Sequence, residues 1–439
     1  MNPRSTRRRE RSLLCCALAG CMMFATPALA QSTSATLRGQ VMLDSAPAAE
    51  ASVTATNLAN GLVRSVRASG GRYSLAGLPP GTYRIDVESA GRSDSRTVTL
   101  AVGQTVTLDL GVGGVAETGP AGAATEMDAV VVTGQPMAET RTSEVATYVT
   151  QRQIEALPQG TRNFLAFADT VPGMQFIQDA SGNTRLRSGA QSANAVNVFI
   201  DGVGQKNYVT TGGVSGQDTS RGNPFPQSAI GEYKVITQNY KAEFDQLSSA
   251  AVVAATRSGS NEFEGSFFLD HTRTEWRSRS VFEENGTKAE SEETQYGATF
   301  GGPIVRDVAH FFIAYEAKEY QSPRTLDFGR GFEPGDVPPE FREQFGTGTV
   351  TAPFKEDLWF AKVDVAVGQD HLFELTAKLR DESETIQVGG DRLPPSATFN
   401  TNEETRVDLR WQFSRGDWLN DAHLGWEESY WSPRPALYG

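Results

Sequence analysis

From Gly259 to the end of the chain, apolar and polar residues alternate, and the polar row is heavily charged. Residues 404–413 read Glu-Thr-Arg-Val-Asp-Leu-Arg-Trp-Gln-Phe. Successive side chains of a strand point to opposite faces. Thr405, Val407, Leu409, Trp411 and Phe413 therefore share one face, and Glu404, Arg406, Asp408, Arg410 and Gln412 share the other. The same spacing sets Trp359, Ala361, Val363, Val365 and Val367 against Lys362 and Asp364. It also sets Phe311, Ile313, Tyr315 and Ala317 against His310, Glu316 and Lys318. Seven such strands are expected, over 262–272, 292–300, 308–320, 356–367, 370–381, 403–415 and 419–432. Soluble sandwiches alternate too. The charged row, with Tyr and Trp near strand ends, favours a barrel whose apolar face meets lipid. Beyond the N-terminus no apolar run approaches about 18 residues, which excludes helical membrane spans.

Arg4, Arg7, Arg8, Arg9 and Arg11 precede an apolar stretch from Leu13 to about Ala25, and Ala28-Leu29-Ala30 places small residues before Gln31. This is the layout of an export signal over residues 1–30, cleaved between Ala30 and Gln31. Leu18-Ala19-Gly20-Cys21 has the form of a lipoprotein cleavage motif and stands as a second option. All three cysteines, Cys15, Cys16 and Cys21, lie inside this segment. The exported chain is thus expected to carry no disulfide and no thiolate metal site. Net charge is −13 even with the basic leader counted, so the overall field repels nucleic acid.

Residues 31–112 read as a small β-sandwich. Short β-branched runs at Thr36–Val41, Ala51–Thr56, Val63–Ala68, Tyr73–Leu75, Tyr83–Glu88, Thr97–Val102 and Thr105–Leu110 are separated by turns such as Asn60-Gly61 and Gly70-Gly71. A Gly/Ala-rich linker follows, and within it Asp128, Ala129, Val130, Val131, Val132 and Thr133 form a short extended run. That run is either an eighth sandwich strand or a detached strand able to add to a partner's sheet edge. In residues 136–258 helix and strand signals mix. Thr150-Gln151-Arg152-Gln153 opens a helix by a capping box, and a second helix is expected from Asn163 to Asp169. Strands are expected at Thr184–Arg187, Val196–Ile200, Ile230–Thr237 and Ala250–Thr256. Between Gly202 and Pro226 lies a long polar loop, of a length that is usually functional in compact domains.

These blocks, in this order, resemble TonB-dependent outer-membrane receptors, particularly the Oar-like group with an N-terminal carboxypeptidase regulatory-like domain. Gly71-Arg72-Tyr73-Ser74-Leu75-Ala76-Gly77-Leu78-Pro79-Pro80-Gly81-Thr82-Tyr83 resembles the signature of that domain. Asp128–Thr133 resembles the TonB box, and Arg162-Asn163-Phe164 with Val171-Pro172-Gly173-Met174 resembles the start of a plug domain. Val198-Phe199-Ile200-Asp201-Gly202-Val203 resembles a central plug strand, and Thr256–Gly265 the plug-to-barrel junction. The resemblance implies a mainly β chain: signal peptide, sandwich, linker with TonB box over 113–135, α+β plug over 136–258 and transmembrane antiparallel barrel from 259. It implies a TonB-type energy transducer and outer-membrane lipid as partners, no cofactor, and an unidentified substrate: iron chelate, cobalamin, oligosaccharide or peptide. The substrate-facing residues it implies are Lys206, Asn207, Tyr208, Asp218 and Arg221; an ordinary variable plug loop is the equal alternative. Arg187 matches one of two plug arginines that lock onto barrel glutamates, while Gln238-Asn239-Tyr240 stands where a second would be expected.

Nothing in the sequence reads as catalysis. His371-Leu372-Phe373-Glu374 has a His-x-x-Glu spacing, but residues three apart on a strand face opposite ways and cannot share a metal. His271, His310 and His423 read as lone strand residues without close acidic partners. An outer-membrane adhesin that binds through its sandwich, without transport, is the rival function; a soluble periplasmic binding protein would leave its apolar rows bare. Seven strands against the roughly 22 of a plug-holding barrel lead to the expectation that these residues are the N-terminal part of such a receptor.

Overall fold

The computed structural model describes residues 33–112, 142–326, 336, 338–340 and 349–438, apart from residues 45, 159, 179–181, 207–219, 280–287, 289, 391 and 417. The export signal, the linker with Asp128–Thr133, and the loop residues Asn207, Tyr208 and Asp218 lie outside these described residues.

Nine strands build the N-terminal unit: β1 (Ala35–Leu43), β2 (Ala46–Pro47), β3 (Glu50–Asn57), β4 (Val63–Ser69), β5 (Arg72–Leu78), β6 (Gly81–Ser89), β7 (Arg92–Leu100), β8 (Thr105–Thr107) and β9 (Leu110–Val112). They run in the order β2-β1-β5-β4-β3-β6-β7, with β8 and β9 both pairing parallel to β1. The alternating residues Leu37, Val53, Ala55, Ile85, Val87, Val98 and Leu100 point into one core. The single run expected at Thr105–Leu110 is two strands, because the chain breaks at Leu108, whose carbonyl accepts from Tyr73 Oη at 2.6 Å.

The middle unit holds β10 (Val145–Val149), α1 (Gln151–Ala156), β11 (Met174–Gln178), β12 (Thr184–Ser188), β13 (Val196–Ile200), β14 (Val203–Gly204), β15 (Ile230–Gln238) and β16 (Ala250–Thr256). Helix α1 starts where the sequence places it, with both halves of the Thr150–Gln153 capping box formed. The expected second helix is a 3-10 turn over Phe164–Thr170, capped by Asn163. Only seven residues separate that cap from Val171, and Pro172 forbids continuation, which suits the tighter helix. A five-stranded sheet, β10-β15-β16-β13-β14, carries the core, and β11 and β12 form a separate hairpin. Strands β10 and β11 were not foreseen; each is short and gains its regularity from a pairing partner.

The C-terminal unit is one antiparallel sheet of seven strands in sequence order: β17 (Glu264–Thr272), β18 (Glu292–Val305), β19 (Ala309–Thr325), β20 (Thr349–Val367), β21 (His371–Ile386), β22 (Thr398–Arg415) and β23 (Trp418–Pro435). All seven expected strands are present. Most run further at the end opposite the tight turns around residues 306–308, 368–370 and 416. The alternation that marked them fails there, because Glu319, Asp357, Asp381 and Glu403 take the outward positions held lower down by apolar residues.

Burial on this sheet is inverted relative to a soluble fold. Glu404, Arg406 and Arg410 are 2–6% exposed, whereas Leu409 and Trp411 are 41% and 40% exposed. The exposed row forms a belt. Tyr296, Tyr315 and Trp359 cluster at its upper edge, and His371, Phe373, Trp411 and Phe413 at its lower edge. Aromatic girdles bounding an apolar band are what a strand needs where hydrocarbon gives way to water.

Candidate functional site

The middle unit, called the plug after the domain that the sequence leads one to expect there, sits against the inner, charged face of the curved sheet, and the seam between them is the site. Apolar contact anchors it: Phe312, Ala314 and Phe360 of the wall join the plug core, with the Phe225 and Phe360 rings 5.0 Å apart. Around that anchor the wall's charges are spent on the plug's backbone. Gln295 and Lys318 donate to the carbonyls of Gly160 and Thr161 at 3.0 and 2.9 Å, and Lys378 donates to Pro224 O at 2.9 Å. Arg406 donates to Gly204 O at 3.0 Å. In the other direction, Glu316 accepts from Ser228 N and Glu356 from Asn223 N, both at 2.7 Å, and Glu382 accepts from Ser220 Oγ at 2.6 Å.

The apex segment Ser220-Arg221-Gly222-Asn223 is gripped most closely. A Cβ on Gly222 would lie 2.2 Å from Glu382 Oε2 and 2.3 Å from Glu356 Oε1, so only glycine lets the turn reach both carboxylates. Arg221 donates to Ser322 Oγ at 2.6 Å and lies over the Tyr320 and Phe354 rings. Burial pulls its guanidinium below its ordinary range, and Arg324 acts in the same sense.

Buried charges of this kind persist only when paired. Lys362 meets Glu374 at 2.8 Å and the plug's Asp201 at 3.7 Å, and Arg410 meets Glu374 at 2.9 Å and Asp421 at 2.5 Å. Lys378 pairs with Glu404 at 2.7 Å and Arg406 with Glu427 at 2.5 Å. Asp201 also accepts from Thr256 N at 2.9 Å, tying the end of β13 to the end of β16. The upper seam leaves a cavity of only about 30 Å3 among Phe225, Phe360, Lys378 and Arg406, roughly the space of one water.

Several sequence expectations land elsewhere. Arg187 donates to Gln175 across its own hairpin at 2.5 Å. The arginine that reaches a wall glutamate is Arg162, 3.5 Å from Glu316 and stacked 3.5 Å over the Phe268 ring. Lys206, expected to face substrate, donates to the carbonyls of Asn194, Val196 and Gln246, so it stitches the plug together. Arg221 packs instead against Ser322, Tyr320 and Phe354 of the wall. The histidines are not lone. His310 is 3.3 Å from Asp364 and His271 is 3.6 Å from Glu292 on neighbouring strands, contacts that register creates and linear sequence hides. His423 lies 3.2 Å from Asp421, two residues back on the same face, a pairing the sequence did contain. His371 faces out to Trp411 and Phe413, and Glu374 faces in.

A folded plug gripped by the charged face of a lipid-belted sheet is decisive for the architecture. Its fold is that of a TonB-dependent receptor, and it belongs in the outer membrane. Residues 36–112 match the family described as "Carboxypeptidase regulatory-like domain", and residues 255–328 match "Outer membrane beta barrel domain". The chain is 28% identical to "TonB-dependent transporter Oar" of Myxococcus xanthus over 347 residues, 72% of this chain and 30% of that protein. The chain therefore spans about a third of the length of the curated relative it matches. Among solved structures, the outer membrane transporter YddB from Escherichia coli aligns with TM-score 0.50 at 14% identity, covering 64% of this chain and 38% of that one. The siderophore receptor PirA from Acinetobacter baumannii gives TM-score 0.45 at 14% identity, covering 65% and 40%.

Proposed function

We propose that the chain acts in TonB-dependent uptake of a substrate across the outer membrane. The plug is the moving part, Asp128–Thr133 is the strand grasped by a TonB-type transducer, and the surface around Arg221 is where substrate first arrives. The observation that carries this reading is the seam. Away from the Phe312–Phe360 anchor, the plug is held by polar contacts: hydrogen bonds from wall side chains to its backbone, with the Arg162–Glu316 and Lys362–Asp201 ion pairs beside them. Hydrogen bonds to charged groups exchange for water at a modest net cost, about 1.5–3 kcal/mol each. A plug held this way can be displaced by pulling without stripping a large apolar area bare.

Strand addition needs backbone donors and acceptors along one edge, and proline removes a donor. In cells, Val131→Pro is expected to abolish cross-linking of residues 128–133 to the TonB-type protein while leaving the amount of receptor in the outer membrane unchanged. Cross-linking at the wild-type level in that variant would overturn the proposal.

A further inference from the structure

The N-terminal sandwich does not hang free of the other two units. Its turns rest on the same end of the wall as the short strand connections. Ala59 O accepts from Asn261 N at 2.8 Å, and Asn261 bonds Asp307 through both its amide groups and lies 3.0 Å from His310. The neighbouring Gly61, at φ +72°, has no room for a Cβ beside Asp307, whose Oδ1 would be 2.0 Å away. Arg64 donates to Gln369 O in the next connection. Ser414 Oγ donates to Ala76 O at 3.1 Å, and Gly77 faces Gln412 and Leu419 in the third. Ser34 Oγ accepts from Arg410 Nη2 and from Gln412 Nε2, each at 2.8 Å.

The plug is engaged as well. Val102 is fully buried in a cluster with Phe199, Ile236, Ala251, Val253 and Ala255, on the face of the plug sheet turned away from its main core. Val102 N donates to Glu232 Oε1 on β15. One small domain therefore grips three connections of the wall and the two central plug strands, β15 and β16.

We propose that the sandwich is a cap over the periplasmic mouth that pins the plug to the barrel turns and must leave its seat before the plug can move. The interface is built for release. Among the described residues, Val102 is the one sandwich side chain in the apolar cluster it shares with the plug, and the hydrogen bonds that tie the sandwich to the wall are polar contacts. Arg64 is 2% exposed, yet its Nε and Nη2 have no hydrogen-bond partner among the described residues, so departure of the cap returns these groups to water. Interfaces between domains of one chain that are polar in this way resemble transient ones. The stretch 113–144, which includes the linker, joins the cap's last strand to the first strand of the middle unit, so a pull on Asp128–Thr133 loads both units at once.

The release step rests on the transport reading; the seat does not. The test uses the whole chain in outer membranes, with Ala76→Cys and Ser414→Cys introduced together and bridged by oxidation or a short bis-maleimide. More than half of the receptor is expected to cross-link in cells lacking the TonB-type transducer, and no product would overturn the seat. Ser414→Arg, which crowds the seat from the wall side without touching the sandwich, is expected to speed amide exchange in β15 and β16 at least fivefold. Deletion of residues 33–112 is expected to do the same. Unchanged exchange in Ser414→Arg, with the cross-link between Ala59→Cys and Asn261→Cys lost, would overturn the restraint. Energised uptake that continues with the cap bridged would overturn release while leaving transport standing. Loss of Val131→Pro sensitivity would sink transport while leaving the seat standing.

Discussion

The sandwich and the wall use the same period and bury opposite rows. In β6 the buried residues are Tyr83, Ile85 and Val87, and the intervening Arg84, Asp86 and Glu88 lie outside. In β22 the buried residues include Glu404, Arg406, Arg410 and Gln412, and the apolar Leu409 and Trp411 lie outside. Alternation therefore announces a strand but not which face is the core. What separates the two cases is the company of the charges. In β6, Arg84 pairs with Asp86 on a solvated surface, where such pairs contribute little. On the wall, Lys362, Glu374, Lys378, Glu404 and Arg410 each meet an opposite charge one strand away at hydrogen-bonding distance, which is the condition for keeping a charge out of water.

Placing a charge on the apolar row is the sharpest way to break this comparison. Val87→Asp puts an unpaired carboxylate in the sandwich core, at a cost on the order of 5 kcal/mol. That equals or exceeds what a domain of this size can lose, so β3 and β6 are expected to lose all slow-exchanging amides. The reverse change on the wall, Arg410→Leu, leaves Glu374 and Asp421 buried without their guanidinium, at about 3–5 kcal/mol. Heat-modifiable migration of the receptor on gels is expected to shift to lower temperature. Leu409→Arg, on the lipid face of the same strand, is expected to cost less, about 2–4 kcal/mol if it lies at mid-belt, read by the same assay. A larger effect for Leu409→Arg than for Arg410→Leu would mean that the charged row is not the structural core of the wall.

The smallest effect concerns the contact between the two regions. Burial lifts the Glu232 carboxyl to about 7 from its ordinary 4.5, opposed by the Val102 N–H. Asp201, Arg257, Lys362, Glu374 and Arg410 line the same cleft, which has a volume of about 370 Å3. The seated form binds the proton more tightly than the unseated one. The contribution is thus complete below 4.5 and is lost as pH rises through about 7. Cap cross-linking is expected to fall modestly across that window in the wild type, and to stay flat in Glu232→Gln.

Most of the fold was legible, because its signals are local or periodic. Thr150 and Gln153 announce α1 by themselves, and seven alternating rows announce seven strands. The strand ends were not legible. Above Trp359 the outward residues Asp357 and Lys355 break the pattern, and only cross-strand pairing, including the 3.4 Å contact of Lys355 with Glu319, carries β20 on to Thr349. The seam was half legible. The Gly202–Pro226 loop marked itself by length, and Ser220-Arg221-Gly222-Asn223 is its turn-forming end. Which arginine meets a glutamate was not readable, since Arg162 and Glu316 are far apart in sequence and only the docking of the plug decides between Arg162 and Arg187.

The switch from apolar to charged residues on the outer wall fixes a waterline. From Val367 to Trp359 the outward row is apolar, a span giving roughly 20 Å of height for a tilted strand. Glu356 and Glu382, which hold the apex turn, are in register beside the first outward charges, Asp357 and Asp381. The grip on Arg221's turn therefore lies above the hydrocarbon, among lipid headgroups. In the proposed uptake, a molecule that touches Arg221 would be recognised without having begun to cross, because the whole thickness of the oily layer would still lie below it. Tight capture at the apex and passage through the seam are then separate tasks, and improving one gives no guarantee of the other.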